Sequence, residues 1–449
     1  MTQAQRFLNL NVGLNTTGYV GPAWRQRRGS RHDIADPQYY LRLARLAHKG
    51  RFAATFFSDM PLLRPDAATR PLHTIDPLML QTWLAGQVPD IGFVATMSST
   101  YNSPFNLARR TLAADVLSGG RFIINVVANF VPEVAANFGD DPLPPREVRY
   151  PRAGEFLDVV KKLWLSWDPA RAGAVPEGQF WDPAAEVIEA DHKGRYFSVK
   201  GALNVPVSPQ VHPVIAQAGG SDLGIDLAAR HGEVIYCNIL SRGAGEAFRA
   251  KVNARALAHG RDPAGIRLAP GLVAIIGDTR AEALRKHEIF TGAGSEDALI
   301  AQFAREHGQD PRDFNADVPL NWEDFVPAQD RVLAVGFTQG LVELLRHEKL
   351  TAREAVRRSA GNHRLVLGTA EEVADQIIDL WADGTVDAYT YQPPRAPDDI
   401  EEFVEKVVPI LQDRGVYRRD YVPGETIRER YGLARPATGA HQPEPVAAA

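Results

Sequence analysis

The chain has 449 residues, 45% of them hydrophobic and 23% charged, with a formal net charge of −5. That length serves one large core or two to three ordinary ones, and the composition excludes a fibrous or wholly disordered protein. The mild negative balance excludes a general attraction to nucleic acid or anionic membrane, and a single cysteine, Cys237, excludes an internal disulfide.

Met1 to Arg6 shows no signal-peptide stretch, and no apolar run approaches the ~20 residues of a spanning helix, so a cytoplasmic location is expected. Beyond that point short β-branched or aromatic runs alternate with helical patterns. Phe7–Leu14 reads as a strand and Pro37–Lys49 as a helix. Ala53–Ser58 and Pro77–Gln87 form the next such pair, Ile91–Thr96 and Asn106–Leu117 the third, and Arg121–Ala128 and Ala153–Trp167 the fourth. After an interruption come strands at Val214–Ala218, Val234–Ile239 and Ile266–Ile276, with helices at Leu223–His231, Gly245–His259 and from Arg280. The last strand is Ala388–Gln392 and the last helix Ile400–Arg414.

Strand-helix units in series imply a parallel sheet with crossover helices, and eight of them close a (β/α)8 barrel. An open doubly wound sheet would carry a glycine fingerprint after its first strand, and Val12-Gly13-Leu14-Asn15 has none. A barrel needs ~250 residues. The excess falls near 18–35, 168–212, 311–370 and beyond 415, read as caps over one domain spanning 1–436. Residues 437–449, rich in Pro and Ala, read as a flexible tail.

Active sites of such barrels lie at the C-terminal ends of the strands, so polar residues that end apolar strands are the candidates. Asp59 follows the second strand and Thr96 ends the third. Tyr150 opens a helix after the proline-rich loop that ends in Pro144-Pro145. After the fifth strand Gly219-Gly220-Ser221-Asp222 leads into a helix, and amide groups at such a helix start form a phosphate site. Ser221 is read both as the cap of that helix and as a phosphate ligand. Trp24, Phe57, Tyr101 and Phe130 are read either as an apolar pocket or as ordinary core. Cys237 sits in a strand-like run and reads as a small core residue. No Gly-x-Ser-x-Gly elbow, His-Glu-x-x-His or Walker A pattern is present, and the twelve histidines show no metal-ligand spacing, so no metal is expected.

Together these segments resemble the nitrilotriacetate monooxygenase component A family, within the bacterial luciferase-like flavin monooxygenases. The resemblance runs from Asn9 to Pro436. It is carried by Ala23-Trp24-Arg25, Phe57-Ser58-Asp59, Val94-Ala95-Thr96, Asn106-Leu107-Ala108-Arg109-Arg110, Asn125-Val126-Val127, Arg149-Tyr150-Pro151-Arg152, Gln217-Ala218-Gly219 and Gly432-Leu433-Ala434-Arg435-Pro436. It implies a (β/α)8 fold, a homodimer or homotetramer, and reduced FMN as co-substrate, delivered by a separate NAD(P)H:flavin reductase. By the family's pattern Asp59 and Thr96 contact the flavin ring, and Tyr150 and Ser221 hold the phosphate with the amide of Gly220. Arg152 and Asn125 are lesser candidates. Arg146 stands where the family commonly has a histidine, Ala128 where it has threonine, and Tyr19-Val20-Gly21-Pro22 where it has a histidine-containing turn. Arg146 is read as a phosphate partner or as a solvated loop residue. The implied activity is oxygenation of a small organic molecule, and an aromatic-rich pocket leans toward a heterocyclic or xenobiotic one. The alternatives are a deazaflavin-dependent oxidoreductase on the same fold and a flavin-binding protein without turnover.

Overall fold

The computed structural model describes residues 6–14, 17–64, 74–129, 131–139, 142–306, 309–325, 335–360 and 363–438. The sequence readings of Phe130, of residues 439–449, and of 326–334 and 361–362 in the second insertion lie outside the described residues.

The first half of the chain is β1 (Asn9–Gly13), α1 (Pro37–Lys49), β2 (Ala54–Phe57), α2 (Pro77–Ala85), β3 (Gly92–Ser98), α3 (Pro104–Leu117), β4 (Phe122–Val127) and α4 (Arg146–Trp164). Next come β5 (Val214–Ala218), α5 (Asp222–His231), β6 (Val234–Tyr236) and α6 (Arg242–Ala258). Strand β7 runs in two parts, Arg267–Leu268 and Gly271–Ile276, because Pro270 between them has no N–H for the ladder. The chain then continues through α7 (Arg280–Thr291), α8 (Val335–His347), β8 (His363–Gly368), α9 (Ala370–Ala382), β9 (Ala388–Tyr391) and α10 (Asp398–Lys406).

The helix starts are written in the sequence. Helices α1, α2 and α3 each open on proline, preceded by Asp36, Asp76 or Ser103, whose side-chain oxygen accepts an amide of the first turn. The strands are buried on both faces, as parallel strands under crossover helices must be.

The sheet closes. Strands β1 to β6 pair in order and in parallel, and β1 pairs on its other side with β9. Arg267–Leu268 of β7 pairs with β6, while Gly271–Leu272 pairs with β9. Strand β8 lies inside the stretch 311–370 that the sequence reading treats as a cap. It runs parallel to Leu272–Ile276. The amides of Ala269 and Gly271 donate to Ile235 and Cys237, and that of Gly277 donates to Gly368. Alternate residues point the same way, so β8 takes over the edge that β6 leaves near the mouth. Its apolar run, Leu365-Val366-Leu367, lies between Arg364 and Gly368 and is too short for periodicity to announce it.

The segment after 415 covers the opposite end of the barrel from the one where the candidate residues lie. Ile427, Tyr431 and Leu433 pack with Ala53, Val94, Ile123 and Val214 at the N-terminal ends of the strands. The Ile427 amide donates to Gly120, Arg430 to Ala53 (3.0 Å) and the Tyr431 hydroxyl to Asn11 Oδ1 (2.6 Å). Among the described residues no helix is long and apolar enough to cross a membrane.

Candidate active site

Strand alternation decides which side chains enter the lumen. Ala54, Phe56, Val94, Ile123, Val214, Ala216, Val234 and Ala388 share one cluster inside the barrel, while their neighbours Phe57, Phe93, Ile124, Ile215 and Ile235 pack under the helices. Further along the strands, the same faces carry Thr96, Asn125 and Tyr236, and Gln392 just past the end of β9. The register sets Thr96 beside Asn125, whose Nδ2 donates to the Thr96 hydroxyl at 3.1 Å. Asn125 Oδ1 is buried with no hydrogen-bond partner among the described residues. The rings of Phe56 on β2 and Tyr236 on β6, strands on opposite sides of the barrel, stack at 5.3 Å and bridge the lumen.

On one side of that bridge a polar cluster closes the wall. His363, at the start of β8, is 1% exposed, and burial pushes its pKa down to about 3, so the ring is neutral. Its Nδ1 donates to Asn238 Oδ1 (3.1 Å), which leaves Nε2 to accept from the Tyr236 hydroxyl (2.8 Å). Gln392 Nε2 donates to the same hydroxyl at 3.0 Å. Two glycines make the room: a Cβ at Gly271 would fall 2.3 Å from His363 Nδ1, and one at Gly13 would fall 2.2 Å from Gln392 Oε1. Sequence reasoning missed Tyr236, His363 and Gln392; the two strand glycines were the available signal.

On the other side lie the residues singled out from sequence, at consecutive strand ends from β2 to β5. Asp59, just past β2, is half-buried. Burial first, then the negative Asp76, pushes its carboxyl up to about 6, against a hydrogen bond from the Met60 amide. Tyr150 lies in the first turns of α4, which Arg146 opens and which starts seven residues before the helix read from sequence. Two arginines hook this end of α4 onto the strand ends. Arg149 Nη1 donates to Ala128 O (3.0 Å) and its Nε to Pro144 O (2.6 Å), while Arg152 Nη1 donates to Ser99 O (2.8 Å) and Thr100 O (3.2 Å). Arg152 is thus committed to carbonyls, and the buried Arg149, which sequence reasoning missed, sits within electrostatic reach of Tyr150 and Tyr101.

Ser221 caps α5, its hydroxyl accepting from the Gly224 amide at 3.2 Å. A Cβ at Gly219 would lie 2.8 Å from Gly224 Cα, so the turn tolerates only glycine there. A cavity of about 240 Å³ adjoins Gly220, and Lys251 and Arg346 also line it. Of the aromatics read from sequence, Phe57 faces outward and meets Tyr40 edge-on at 5.4 Å, so Phe56 takes its place in the lumen. Tyr101 stacks on Phe138 at 4.3 Å, and Trp24 lies in the short turn of helix Gly21–Gln26. Cys237 is buried, and burial raises its thiol pKa. Among the described residues no group of three or more His, Cys, Asp or Glu is placed to hold a metal ion.

The sequence model of the luciferase-like monooxygenase family matches residues 20–388. The chain belongs to that family. It is a flavin-dependent monooxygenase acting on a small organic molecule, and its resemblance to nitrilotriacetate monooxygenase component A is borne out. It is 32% identical to that protein from Aminobacter aminovorans over 458 residues, covering 98% of this chain and 99% of the relative. It is 34% identical to N-acetyl-S-(2-succino)cysteine monooxygenase of Bacillus subtilis (strain 168) over 447 residues, covering 97% and 99%. The solved structure of EDTA monooxygenase from Chelativorans sp. BNC1 superposes with a TM-score of 0.83 at 39% identity, covering 96% of this chain and 99% of that one.

Proposed function

We propose that the β2–β5 arc binds reduced FMN and that the enzyme oxygenates a small carboxylate-bearing molecule in the remaining half of the lumen. The observation that carries this is the Thr96–Asn125 pair with its unpaired buried oxygen, at the same end of the barrel as the glycine-opened helix start at Ser221. An unsatisfied acceptor in a lumen fits a ring N–H, and a helix N-terminus fits a phosphate.

In this reading Asp59, Thr96 and Asn125 hold the flavin ring, and Tyr150, Ser221 and the Gly220 amide hold the phosphate. Arg146 adds positive charge from the first residue of α4, while Lys251, paired with Asp222, and Arg346, paired with Glu343, line the cavity beside Gly220. When bound, the reduced flavin supplies with O2 the oxygen atom that is transferred. The chain's own work is to orient the ring, exclude water and hold the substrate against it. Phe56 and Tyr236 shield the centre of the lumen, and the Tyr236–His363–Gln392 cluster presents fixed polar groups on the substrate side.

The substrate class rests on the three relatives named above, whose printed names all denote carboxylate-bearing compounds. This revises the leaning toward heterocycles drawn from aromatic residues. Their monooxygenase names favour oxygenation over deazaflavin hydride transfer. A separate NAD(P)H:flavin reductase is proposed as partner because the chain shows no nicotinamide fingerprint. One barrel domain over 1–436, a homodimer or homotetramer and a cytoplasmic location complete the proposal on the family's pattern.

The test is oxygen uptake with FMN, NADH and a generic flavin reductase over a panel that includes nitrilotriacetate, EDTA and N-acetyl-S-(2-succino)cysteine. Substrate-dependent uptake with an oxygenated product is expected. FMN binding without any product would support a non-catalytic flavin protein instead, and turnover with reduced deazaflavin alone would support the dehydrogenase.

A further inference from the structure

A second cavity, of about 650 Å³, lies outside the lumen along the edge of β8. That volume is in the range of small-molecule sites. Four guanidinium groups line it: Arg280 at the start of α7, Arg357 and Arg358 before β8, and Arg364 on β8 itself. Leu240, Leu284, Leu350, Leu365 and Leu367 give it an apolar floor.

The charges around it balance in number once their ion-pair partners are included, but they are not evenly paired. Three carboxylates also line the cavity, and each is committed elsewhere. Glu354 accepts from the Thr351 amide (2.8 Å) and hydroxyl (2.9 Å), Asp375 pairs with Arg414 (2.6 Å) and Asp379 with Arg242 (2.8 Å). Among the cations, Arg357 pairs with Glu296 and Arg358 with Glu348 (2.5 Å), while Arg280 is 61% exposed and only 3.7 Å from Glu372. Arg364 differs from all of these. It is 8% exposed, its Nη groups donate to the carbonyls of Leu240 (3.1 Å) and Gln376 (3.4 Å), and its Nε has no partner among the described residues. Burial and then the neighbouring cation Arg358, against the fields of Tyr389, Asp379 and Glu348, leave its pKa lowered from the ordinary arginine value. A buried guanidinium held by carbonyls alone, beside other cations, is a charge without a counter-ion of its own.

We infer that this cleft binds a small organic carboxylate with an apolar body, its carboxylate on Arg364 and Arg280 and its apolar part on the leucines. Guanidinium and carboxylate match as a two-pronged pair. The site is separate from the lumen and does not depend on flavin. Its geometry ties it to the lumen all the same, because Arg364 directly follows His363, which holds the Tyr236 hydroxyl.

The test is calorimetric titration and thermal melting of the full chain with hexanoate, citrate, inorganic phosphate and sodium chloride, in the presence of saturating FMN. Hexanoate is expected to bind and raise Tm, more than phosphate or chloride at equal ionic strength. Arg364→Gln is expected to weaken it at least tenfold. Arg280→Glu, a change at an exposed rim position that the fold does not need, is expected to do the same and covers the case in which Arg364→Gln fails to fold. No hexanoate binding to the wild type, equal binding of all the anions, or unchanged affinity in Arg280→Glu would overturn the inference. So would a change of oligomeric state in Arg280→Glu with no ligand effect, which would assign the cleft to a second copy of the chain.

Discussion

Asp59, just past β2, and Tyr236, in the lumen, differ in electrostatic character. Burial raises the Asp59 carboxyl to about 6, so it passes from a neutral donor to a charged acceptor around that pH. Only the ionised form accepts a flavin N–H as a charge-assisted bond. FMN affinity, followed by quenching of flavin fluorescence, is therefore expected to rise with pH through about 6 and then level. In Asp59→Asn that step should vanish, with binding at pH 8 about tenfold weaker. A wild-type profile flat from pH 5 to 8 would remove Asp59 from the ring contacts. Tyr236 stays a phenol throughout, since burial holds its pKa well above the ordinary value. Tyr236→Phe keeps the ring that stacks on Phe56 but strips the hydroxyl from His363 and Gln392. It should leave FMN affinity within about twofold while cutting product per O2 consumed, the remainder appearing as hydrogen peroxide. Loss of FMN binding in that variant would place the flavin on the wrong side of the bridge.

At the scale of elements, α4 shows what sequence patterning conveys and what it conceals. Pro151 lies inside the helix, where it removes a hydrogen bond, so a helix expected to begin at Ala153 is a fair reading of the chain. What overrides proline is tertiary: Arg149 and Arg152 each donate to carbonyls at strand ends and pull the extra turns down onto the barrel. Replacing Arg149 with Met breaks that hook without emptying the space. It is expected to cost about 2 kcal/mol in stability and to weaken FMN by about tenfold through displacement of Tyr150, measured by urea unfolding and fluorescence titration. Equal losses of FMN and riboflavin affinity would argue against a phosphate role for this turn. The barrel was legible because its signals are local: proline-opened helices capped by Asp36, Asp76 and Ser103, and strands that are apolar on both faces. Of the residues proposed for the β2–β5 arc, Asp59, Thr96 and Ser221 could be selected on the same local signals, since each ends or follows a readable strand, whereas Tyr150 lies in α4. Strand β8 was not legible, since its three apolar residues gain their place from pairing with β7, a contact nearly a hundred residues away in the chain. Without β8 there was no reason to select His363, nor Tyr236 and Gln392, which matter only as its partners.

The whole molecule is held at its base by buried charge, and this sets its response to acid. Arg428 is 2% exposed and pairs with Glu233, binding the C-terminal segment to the start of β6. Burial pushes the Glu233 carboxyl up, but Arg428 outweighs it and holds the group below the usual glutamate value. Stability from this pair is present above the unfolded pKa and is lost as pH falls through the folded one. Four buried histidines act in the same direction. Burial, aided by Arg428, pushes His212 down to about 4, burial against Glu296 brings His287 to about 4, burial alone takes His363 to about 3, and burial with Lys161 leaves His231 well below its ordinary value. Each gains a proton on unfolding between the ordinary histidine value and its folded value, so each removes stability as pH falls below about 6.5. Buried carboxyls oppose them, among them Asp59, Asp115, Asp158 and Asp399, all raised first by burial. Asp59 and Asp115, the latter raised to about 6 by burial against bonds from Ser208, Phe122 and Gln210, hold protons in the folded state that the unfolded chain releases between about pH 4 and 6. The histidines begin to act just below pH 6.5, above most of the range in which those carboxyls hold their extra protons, so the slope of stability against pH is positive there. The urea midpoint is thus expected to stay level from pH 8 to 7 and to fall below 6.5. His212→Gln, which keeps a neutral side chain beside Trp164, should lower that slope by about one proton's worth. A midpoint that holds steady down to pH 5 would mean that these histidines are charged in the folded barrel, and the neutral His363 that orients the Tyr236 hydroxyl would fall with them.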